Sequence, residues 1–378
     1  MDALTTPSNW QRVRLGDIAE IIGGGTPSTQ ITSFWNGSIN WFTPTEIGIT
    51  KYVYKSQRTI TPLGLKKSSA KLLPIGTILL TSRASIGDCA ILKVVATTNQ
   101  GFQSLIPLEK INNEFLYYLM LTLKNKLLKL ASGSTFLEVS PNKIKNLLIP
   151  LPPLNEQIAI ANILSDMDHY LCSLDALILK KESVKKALSF ELLSQKKRLK
   201  GFNQAWQKVR LGDIANYLTS NLSAEQITQQ GKIKVYDVNN FIGYTDTTFI
   251  SDKPYISIVK DGSVGRVRIL PPKTNILSTM GALIANHRTT TEFLFYLLSN
   301  FDFKNFTSGS IIPHIYFKDY KEKTIFLPPL NEQIAIANIL SAFDHEIASL
   351  KNKKRQFDNI KKALNHDLMS AKIRVLKK

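Results

Sequence analysis

Apolar side chains recur at three- and four-residue steps along two long stretches of the chain, which is the spacing of one face of an α-helix. In the first stretch these positions are Leu164, Met167, Leu171, Leu174, Ile178, Val184, Leu188 and Leu192. In the second they are Leu340, Phe343, Ile347, Leu350, Phe357, Ile360, Leu364 and Leu368. Pro153 and Pro329 precede the stretches, where a missing N–H costs nothing, and Asn155 and Asn331 are candidate capping residues. The pattern predicts two helices of about 40 residues, each about 60 Å long at 1.5 Å per residue.

Shorter apolar runs between turn residues predict strands in the remaining sequence. The predicted strands are 75–81, 89–95, 103–108, 255–259 and 266–270, and the predicted short helices are 113–130 and 292–299. Turns are predicted at 85–88 and 97–101. Gly23-Gly24-Gly25 lacks the spacing of a nucleotide-binding loop, so we interpret it as a flexible polar turn.

The chain contains one unit twice. Residues 151–165 and 327–341 both read LPPLNEQIAIANILS, at an offset of 176, and WQRVRLGDIA at 10–19 returns as WQKVRLGDIA at 206–215, at an offset of 196. We therefore divide the chain into a first globular domain at 1–150, a long helix at 151–200, a second globular domain at 201–326 and a second long helix at 327–378. Each globular domain is expected to be mixed α+β.

Composition limits the possible classes of protein. The 378 residues are 43% apolar, which is enough for two or more buried cores. We expect no membrane span, since there is no run of about 18 apolar residues, and the first ten residues do not resemble a signal peptide. Two cysteines, Cys89 and Cys172, form no disulfide framework, and we expect a cytoplasmic location. A net charge of +19 favours a polyanionic partner.

The charge is distributed unevenly within each predicted long helix. Residues 151–179 contain four acidic residues and no Lys or Arg, whereas 180–200 contain eight Lys or Arg and two acidic residues. The second copy repeats this, with −3 over 327–350 and +8 over 351–378. Antiparallel pairing of the two helices would place the acidic half of one beside the basic half of the other. We therefore predict an antiparallel coiled coil, with the Lys-rich ends 196–200 and 372–378 as solvated tails that attract phosphate.

The sequence resembles the specificity subunit of a type I restriction–modification system. The resemblance rests on the duplicated LPPLNEQIAIANILS followed by a long helix, on the repeated RLGDIA, and on several motifs in the first domain. These are Gly24 to Ser28, WFTPTEI at 41–47, SRASIG at 82–87, NQGF at 99–102 and Ser132-Gly133-Ser134. The second domain departs from the first at the Thr-Pro and Asn-Gln positions.

The resemblance implies two tandem α/β target recognition domains separated by two long helices, with a pseudo-twofold internal repeat. Each domain would read one half of an asymmetric bipartite site in double-stranded DNA, and the paired helices would set the spacer. Two modification subunits that bind S-adenosylmethionine would dock on this chain, and restriction subunits would add ATP-dependent and Mg²⁺-dependent activity. The chain itself would be non-catalytic, with no cofactor of its own. The alternatives are a DNA-binding regulatory protein that acts alone, or a DNA methyltransferase or nuclease that acts alone.

Polar residues in the variable loops are the candidate DNA contacts, since Arg and Lys suit guanine, Asn and Gln suit adenine, and Ser and Thr suit base edges or phosphate. In the first domain they are Thr26, Ser28, Thr43, Thr45, Ser82, Arg83, Asn99, Gln100 and Thr135. In the second they are Asn239, Asn240, Tyr244, Lys260, Ser263, Thr279, Ser310 and His314. For each residue the alternative is a turn that satisfies its own hydrogen bonds. Trp35 and Trp41 are expected in the core instead of on DNA.

No motif for catalysis is apparent. The sequence lacks an Asn/Asp-Pro-Pro-Tyr/Phe motif for adenine methylation and a GxxxxGK[ST] motif for ATP binding. Asp166, Asp168 and His169 form an acidic cluster, which we interpret as carboxylates in the N-terminal half of a helix instead of a metal site or general base. The five histidines show no metal-binding spacing, so no metal site is predicted.

Overall fold

The computed structural model describes residues 7–133 and 137–375. Its contacts divide the chain into two compact units. Unit 1 comprises the described residues up to Leu174 together with those from Lys353 onward, and unit 2 comprises Asp175–Asn352. Within the described ranges, no helix has both the length and the apolar character that crossing a membrane requires. The predicted contact Thr135 lies outside the described residues.

The described residues of unit 1 form three sheets. Its strands are β1 (Gln11–Arg14), β2 (Ala19–Gly23), β3 (Trp35–Phe42), β4 (Tyr52–Val53), β5 (Arg58–Ile60), β6 (Ile78–Leu80), β7 (Cys89–Leu92), β8 (Ala96–Thr98), β9 (Gln103–Pro107) and β10 (Leu148–Leu151). Its short helices are α1 (Pro62–Lys66), α2 (Asn113–Leu130) and α3 (Pro141–Lys145). The strand orders are β1-β10, β2-β9-β6-β7-β4 and β5-β3-β8. Helix α2 packs on β7 and β6 and supplies Phe115 and Tyr118 to the main core.

Unit 2 repeats this plan with fewer strands. Its strands are β11 (Gln207–Arg210), β12 (Ala215–Thr219), β13 (Ile233–Tyr236), β14 (Phe241–Thr245), β15 (Tyr255–Val259), β16 (Val267–Leu270), β17 (Asn275–Ile276), β18 (Met280–Ala285) and β19 (Thr324–Leu327). Its short helices are α5 (Thr291–Ser299) and α6 (Phe317–Tyr320). The strand orders are β11-β19, β12-β18-β15-β16 and β14-β13-β17. Both units are mixed α+β, as predicted.

Two long helices, α4 (Leu154–Leu193) and α7 (Leu330–Met369), each contain 40 residues, as the apolar spacing predicted. In unit 1 the first half of α4 lies beside the second half of α7, where the Tyr170 and Phe357 rings are 4.8 Å apart. In unit 2 the second half of α4 lies beside the first half of α7, where Lys181 pairs with Glu346 at 2.8 Å. Within each unit the paired segments are antiparallel, as the charge pattern predicted.

Two residues that were predicted to lie on the apolar faces of the long helices do not lie there. Val184 and Ile360, which are equivalent in the two copies, are 44% and 52% exposed. A regular seven-residue repeat from Leu171 through Ile178 continues to position 185 rather than 184. Lys185 and Lys361 occupy this inner position, and each forms an ion pair, with Asp344 in unit 2 and with Asp168 in unit 1. The apolar face of each long helix is therefore interrupted by a half-buried lysine.

The duplicated sequences contact each other within each unit, which explains why both are repeated. In unit 1 the Trp10 indole donates to Glu156 Oε2 at 3.1 Å, and in unit 2 the Trp206 indole donates to Glu332 Oε2 at 2.9 Å. Both carboxylates are buried. A buried carboxylate requires hydrogen-bond donors, so the tryptophan and the glutamate depend on each other.

The prediction that both Lys-rich ends are simply solvated is wrong for their arginines. Arg374 donates from Nε to Glu156 Oε1 at 2.7 Å, and Arg198 donates from Nη2 to Glu332 Oε2 at 2.6 Å. The segment after each long helix is therefore anchored to a buried glutamate of its own unit. Sequence alone could not predict this, because Arg374 and Glu156 are 218 residues apart.

Two smaller predictions also need correction. Residues 97 and 98 belong to strand β8, which pairs in parallel with β3, and do not form a turn. The glycines after β2 are tightly packed and are not a flexible loop: a Cβ at Gly24 would lie 1.9 Å from the Asn99 carbonyl oxygen, and one at Gly25 would lie 2.3 Å from the Ala70 nitrogen. Trp35 and Trp41 are buried in the core, as expected, with ring centroids 5.0 Å apart.

Candidate nucleic-acid interface

Backbone hydrogen bonds gather five loops at one place in unit 1. Ser82 N donates to Gly101 O at 2.7 Å, and Val139 N donates to Ser82 O at 3.1 Å. Gly25 N donates to Thr98 O at 2.8 Å, which joins a fourth loop. Asn99 N donates to Phe42 O at 3.1 Å, and this brings in a fifth. We call residues 24–28, 42–46, 82–85, 98–101, 132–133 and 137–139 loop cluster 1.

Eight of the nine predicted contacts in the first domain lie in loop cluster 1, and the ninth is Thr135. Ser28, Thr45, Arg83 and Gln100 are exposed, and Thr26, Thr43 and Asn99 are half-buried. Ser82 is only 1% exposed, so its side chain does not reach the surface in this conformation. The sequence could not show which of these two adjacent residues, Ser82 or Arg83, faces inward.

Several of these side chains already have partners. Thr26 Oγ1 donates to Gln100 Oε1 at 2.5 Å, and Asn99 Oδ1 accepts from Gly101 N at 2.8 Å. Thr43 Oγ1 donates to Glu46 Oε2 at 2.8 Å. These bonds hold the side chains in fixed positions and leave part of their donor and acceptor capacity, as two lone pairs on each hydroxyl or amide oxygen permit.

Arg83 is paired with Glu138, a residue that sequence reasoning missed. Arg83 Nη2 lies 2.8 Å from Glu138 Oε2, and the two side chains are 47% and 31% exposed. Glu138 is held in place by paired backbone bonds with Ser132, at 3.0 Å in both directions. The guanidinium is therefore oriented by a carboxylate at the surface of loop cluster 1.

Unit 2 has the same backbone frame at the equivalent position. Lys260 N donates to Thr279 O at 3.1 Å, and Ile315 N donates to Lys260 O at 2.9 Å. Ser308 and His314 exchange backbone bonds at 2.9 and 2.7 Å, as Ser132 and Glu138 do in unit 1. We call residues 260–263, 278–280 and 308–315 loop cluster 2.

Loop cluster 2 contains five of the predicted contacts: Lys260, Ser263, Thr279, Ser310 and His314. Ser263, Thr279 and Ser310 are exposed, and Lys260 and His314 are half-buried. His314 Nδ1 lies 2.7 Å from Oδ1 of Asp261, another residue that sequence reasoning missed. The equivalent positions in the two clusters therefore hold different side chains on one backbone frame.

The other three predicted contacts lie on the β13–β14 hairpin. Asn239 and Asn240 are exposed at its turn, and the Asp237 carboxylate accepts from both of their backbone N–H groups at 2.7 and 2.6 Å. Arg266 Nη2 donates to Asn239 Oδ1 at 2.8 Å, which connects the hairpin to the loop that follows Asp261. Tyr244 packs edge-on against Phe241, with centroids 5.1 Å apart. Arg266 adds a cation that sequence reasoning did not select.

The acidic cluster near the start of α4 has a structural explanation in unit 1. Asp168 accepts from the Tyr118 hydroxyl at 2.5 Å and pairs with Lys361. Burial and this carboxylate raise the pKa of Tyr118 above its ordinary value, so the hydroxyl stays protonated as a donor. Asp344 accepts from Tyr296 at 2.8 Å in unit 2 and pairs with Lys185. These residues join α2 and α5 to the long helices.

Each unit therefore contains a loop cluster with the same backbone frame and different side chains, and the net charge of +19 favours a polyanionic partner. A family model described as "Type I restriction modification DNA specificity domain" matches residues 7–182 and 203–357. The chain belongs to this family. The resemblance deduced from sequence, and with it the expected role of a DNA specificity subunit, is confirmed.

Similar proteins support the same assignment. The type I restriction enzyme MjaIX specificity subunit of Methanocaldococcus jannaschii is 30% identical over 366 residues, covering 85% of this chain and 84% of that protein. The EcoR124I/EcoR124II specificity subunit of Escherichia coli is 37% identical over 161 residues, covering 41% of this chain and 40% of that protein.

Solved structures share the fold. The S subunit of a type I restriction–modification system from M. genitalium has a TM-score of 0.60 and 20% identity, covering 97% of both chains. The HsdS subunit from Thermoanaerobacter tengcongensis has a TM-score of 0.56 and 18% identity, covering 99% of this chain and 100% of that one.

Proposed function

We propose that this chain is the non-catalytic, DNA-reading subunit of a type I restriction–modification complex, in which loop clusters 1 and 2 each read one half of an asymmetric site in double-stranded DNA. The observation that carries the proposal is the repeated backbone frame with different side chains. A shared frame presents a loop to the duplex in the same way in both units, whereas sequence specificity depends on the side chains that reach base edges. Two unlike sets of side chains therefore imply two unlike half-sites.

The proposed contacts divide by chemistry. Arg83 suits guanine, because a guanidinium can donate to both O6 and N7, and Asn99 and Gln100 suit adenine. Ser and Thr hydroxyls suit phosphates as well as bases. The other proposed contacts are Thr26, Ser28, Thr43, Thr45 and Thr135 in the first domain, and Asn239, Asn240, Tyr244, Lys260, Ser263, Thr279, Ser310 and His314 in the second. Ser82 is left out because its side chain is buried.

The long helices are proposed to set the spacer between the two half-sites and to carry two modification subunits. The identical sequence at 151–165 and 327–341, which includes the start of each long helix, supports this role, since two copies of one partner need two equivalent surfaces. S-adenosylmethionine would be bound by the modification subunits, and ATP and Mg²⁺ by restriction subunits. The complex would act in the cytoplasm, where the host DNA is.

Replacement of Arg83 tests the reading of bases by loop cluster 1. In the complex with its modification subunits, Arg83→Ala should weaken binding to the cognate site by about 1–3 kcal/mol and relax one position of one half-site. Arg12→Ala removes the same charge from an exposed position of strand β1 and should change neither half-site. An equal loss on all DNA sequences would reassign Arg83 to phosphate contact.

A helical deletion tests the spacer. Removal of one turn within 170–195 should change the length of the unspecified spacer and keep both half-sites, as read from methylated positions in host DNA. Altered half-sites with an unchanged spacer would contradict the proposal.

Incubation of the purified chain with DNA, Mg²⁺ and S-adenosylmethionine should give neither methylation nor cleavage, and either product would contradict the non-catalytic role.

A further inference from the structure

Arg83 and Asp261 occupy the same place in the two backbone frames. Each lies in a hairpin closed by the same pair of bonds: Thr81 N to Asp88 O and Gly87 N to Thr81 O in unit 1, and their equivalents between residues 259 and 265–266 in unit 2. Each forms an isolated bridge to the opposite loop, Arg83 to Glu138 and Asp261 to His314. The next residue adopts a left-handed conformation in both, with φ of 56° at Ala84 and 83° at Gly262.

The side chains at this place have opposite hydrogen-bonding character. In unit 1 the first hairpin presents a guanidinium, which can only donate, and the opposite loop supplies a carboxylate. In unit 2 the first hairpin presents a carboxylate, which can only accept, and the opposite loop supplies an imidazole at 2.7 Å. The side chains of Asp261 and His314 are 30% and 36% exposed, so the pair reaches the surface of loop cluster 2.

We propose that Asp261, oriented by His314, is a specificity-determining residue of loop cluster 2. Its carboxylate accepts a hydrogen bond from an exocyclic amino group in the major groove of the DNA. The partner is N4 of cytosine or N6 of adenine, the two amino groups that this groove presents. Arg83, at the equivalent position of loop cluster 1, donates to guanine. The inference rests on the proposed function, since it assumes that loop cluster 2 faces DNA.

Electrostatics explain why such a carboxylate discriminates between bases. A negative side chain close to the phosphates of a duplex is repelled, so its presence lowers affinity unless a donor compensates it. Only a base with an amino group at the right position supplies that donor. Oδ1 is engaged by His314, and Oδ2 of the same carboxylate is the acceptor that we assign to the base. Lys260 and Arg266 in the same hairpin provide the positive charge that attracts the phosphate backbone of the DNA.

The test uses the full chain in complex with its modification subunits and a duplex library in which both half-sites are randomised. Asp261→Ala removes both acceptor oxygens, and should reduce the preference at one position of the second half-site by about ten- to a hundredfold. The first half-site should not change. Asp252→Ala is the matched control, because it removes the same charge from an exposed residue near the start of β15, whereas Asp261 follows its end.

Base analogues identify the amino group. At the affected position, a cytosine analogue without N4 or a purine without N6 should weaken binding of the wild-type complex and leave the Asp261→Ala complex unaffected. The analogue that weakens binding shows which base is read. If neither analogue weakens wild-type binding, Asp261 does not contact an amino group and the inference is wrong.

A paired exchange separates base reading from a purely structural tie. Asp261→Arg with His314→Glu transfers the pair of unit 1 into the frame of unit 2 and keeps a side-chain contact between the loops. The expected result is a switch to guanine at that position; an unchanged motif would overturn the inference, even if Asp261→Ala fails to fold. If the wild-type complex selects no bipartite motif, the proposed function itself fails, and the two failures are thus distinguishable.

Discussion

The guanidinium of Arg374 lies on the carboxylate of Glu156, with Nε 2.7 Å from Oε1 and Nη2 3.1 Å from Oε2. The Glu156 side chain is only 2% exposed, and its second oxygen also accepts from the Trp10 indole. The contact ties the segment after α7 to the start of α4 within unit 1. Its energetic importance comes from the cost of a buried charge, since a carboxylate without its cation is strongly unfavourable in the interior.

Arg374→Gln should therefore destabilise unit 1 by about 3 kcal/mol, because it leaves the buried Glu156 without its cation. The free energy of unfolding can be measured by urea denaturation, and hydrogen exchange should show the loss in unit 1. Lys372→Gln in the same segment removes an exposed cation 3.8 Å from Asp367 and should cost less than about 1 kcal/mol. Equal effects of the two variants would show that Glu156 does not depend on Arg374.

Removal of the Tyr118 hydroxyl should loosen the contact between α2 and α4. This hydroxyl donates to Asp168 at 2.5 Å and accepts from Lys51 Nζ at 2.9 Å, so Tyr118→Phe leaves two charged groups with one partner fewer. We expect a loss of about 1–3 kcal/mol in the free energy of unfolding. Tyr117→Phe is the control, since it alters the neighbouring tyrosine of the same helix, and it should cost less.

The ion pair between Lys185 and Asp344 in unit 2 tests the charge pattern of the paired helices. Because both side chains are about a quarter to two-fifths exposed, we expect a coupling energy of only about 0.5–1 kcal/mol. Lys185→Glu and Asp344→Lys should each destabilise unit 2, and the double variant should recover part of the loss. A double-mutant cycle measures this coupling, and strictly additive effects would mean that the charges do not interact.

The two cysteines should differ in reactivity. Cys172 is exposed, whereas Cys89 is 2% exposed and burial raises the pKa of its thiol to about 12. At pH 8, iodoacetamide should label Cys172 rapidly and Cys89 only on unfolding, which mass spectrometry can follow. Rapid labelling of Cys89 in the native chain would contradict its burial.

The same pKa shift predicts a dependence of stability on pH. The thiol of an unfolded chain has a pKa of about 8.5, so the native state gains stability from the neutral thiol below that pH. This contribution should be lost as the pH rises from about 8.5 towards 12, because the unfolded thiol ionises first. Tyr255, whose pKa burial raises to about 12, should add a similar loss above about pH 10. Urea midpoints at several pH values measure both.

Much of the fold could be predicted from the sequence because its signals are local or repeated. The apolar spacing gave both long helices and α2 (Asn113–Leu130), and the charge pattern gave the antiparallel pairing. The prediction that Val184 belongs to the apolar face of α4 was wrong. Val184 is next to the position that faces inward, and that position is occupied by Lys185. Hydrophobicity alone predicts that Val184 faces inward, whereas the ion pair with Asp344 stabilises Lys185 at the inner position.

The candidate site could be located from the sequence but not resolved into partners. The loops that supply Arg83 and Asn99 were predicted, and the structure brings them together through backbone bonds. Glu138 and Asp261 were missed because a charged residue in a loop carries no sequence signal for its partner. Alignment of the two copies at Ser132-Gly133-Ser134 and Ser308-Gly309-Ser310 would have paired Glu138 with His314 and offered the only hint.

The sequence by itself determined that the chain is a tandem repeat with two long helices, a large positive charge and the motifs of its family, because repeats, periodicity and composition are properties of the linear chain. Only the tertiary structure decided that Arg374 meets Glu156, that Ser82 faces inward, and that Arg83 and Asp261 share one place in two frames. These relationships join residues far apart in sequence or depend on which of two adjacent loop residues faces the core. Such contacts are chosen by packing and by the cost of burying charge, which act only once the chain is folded.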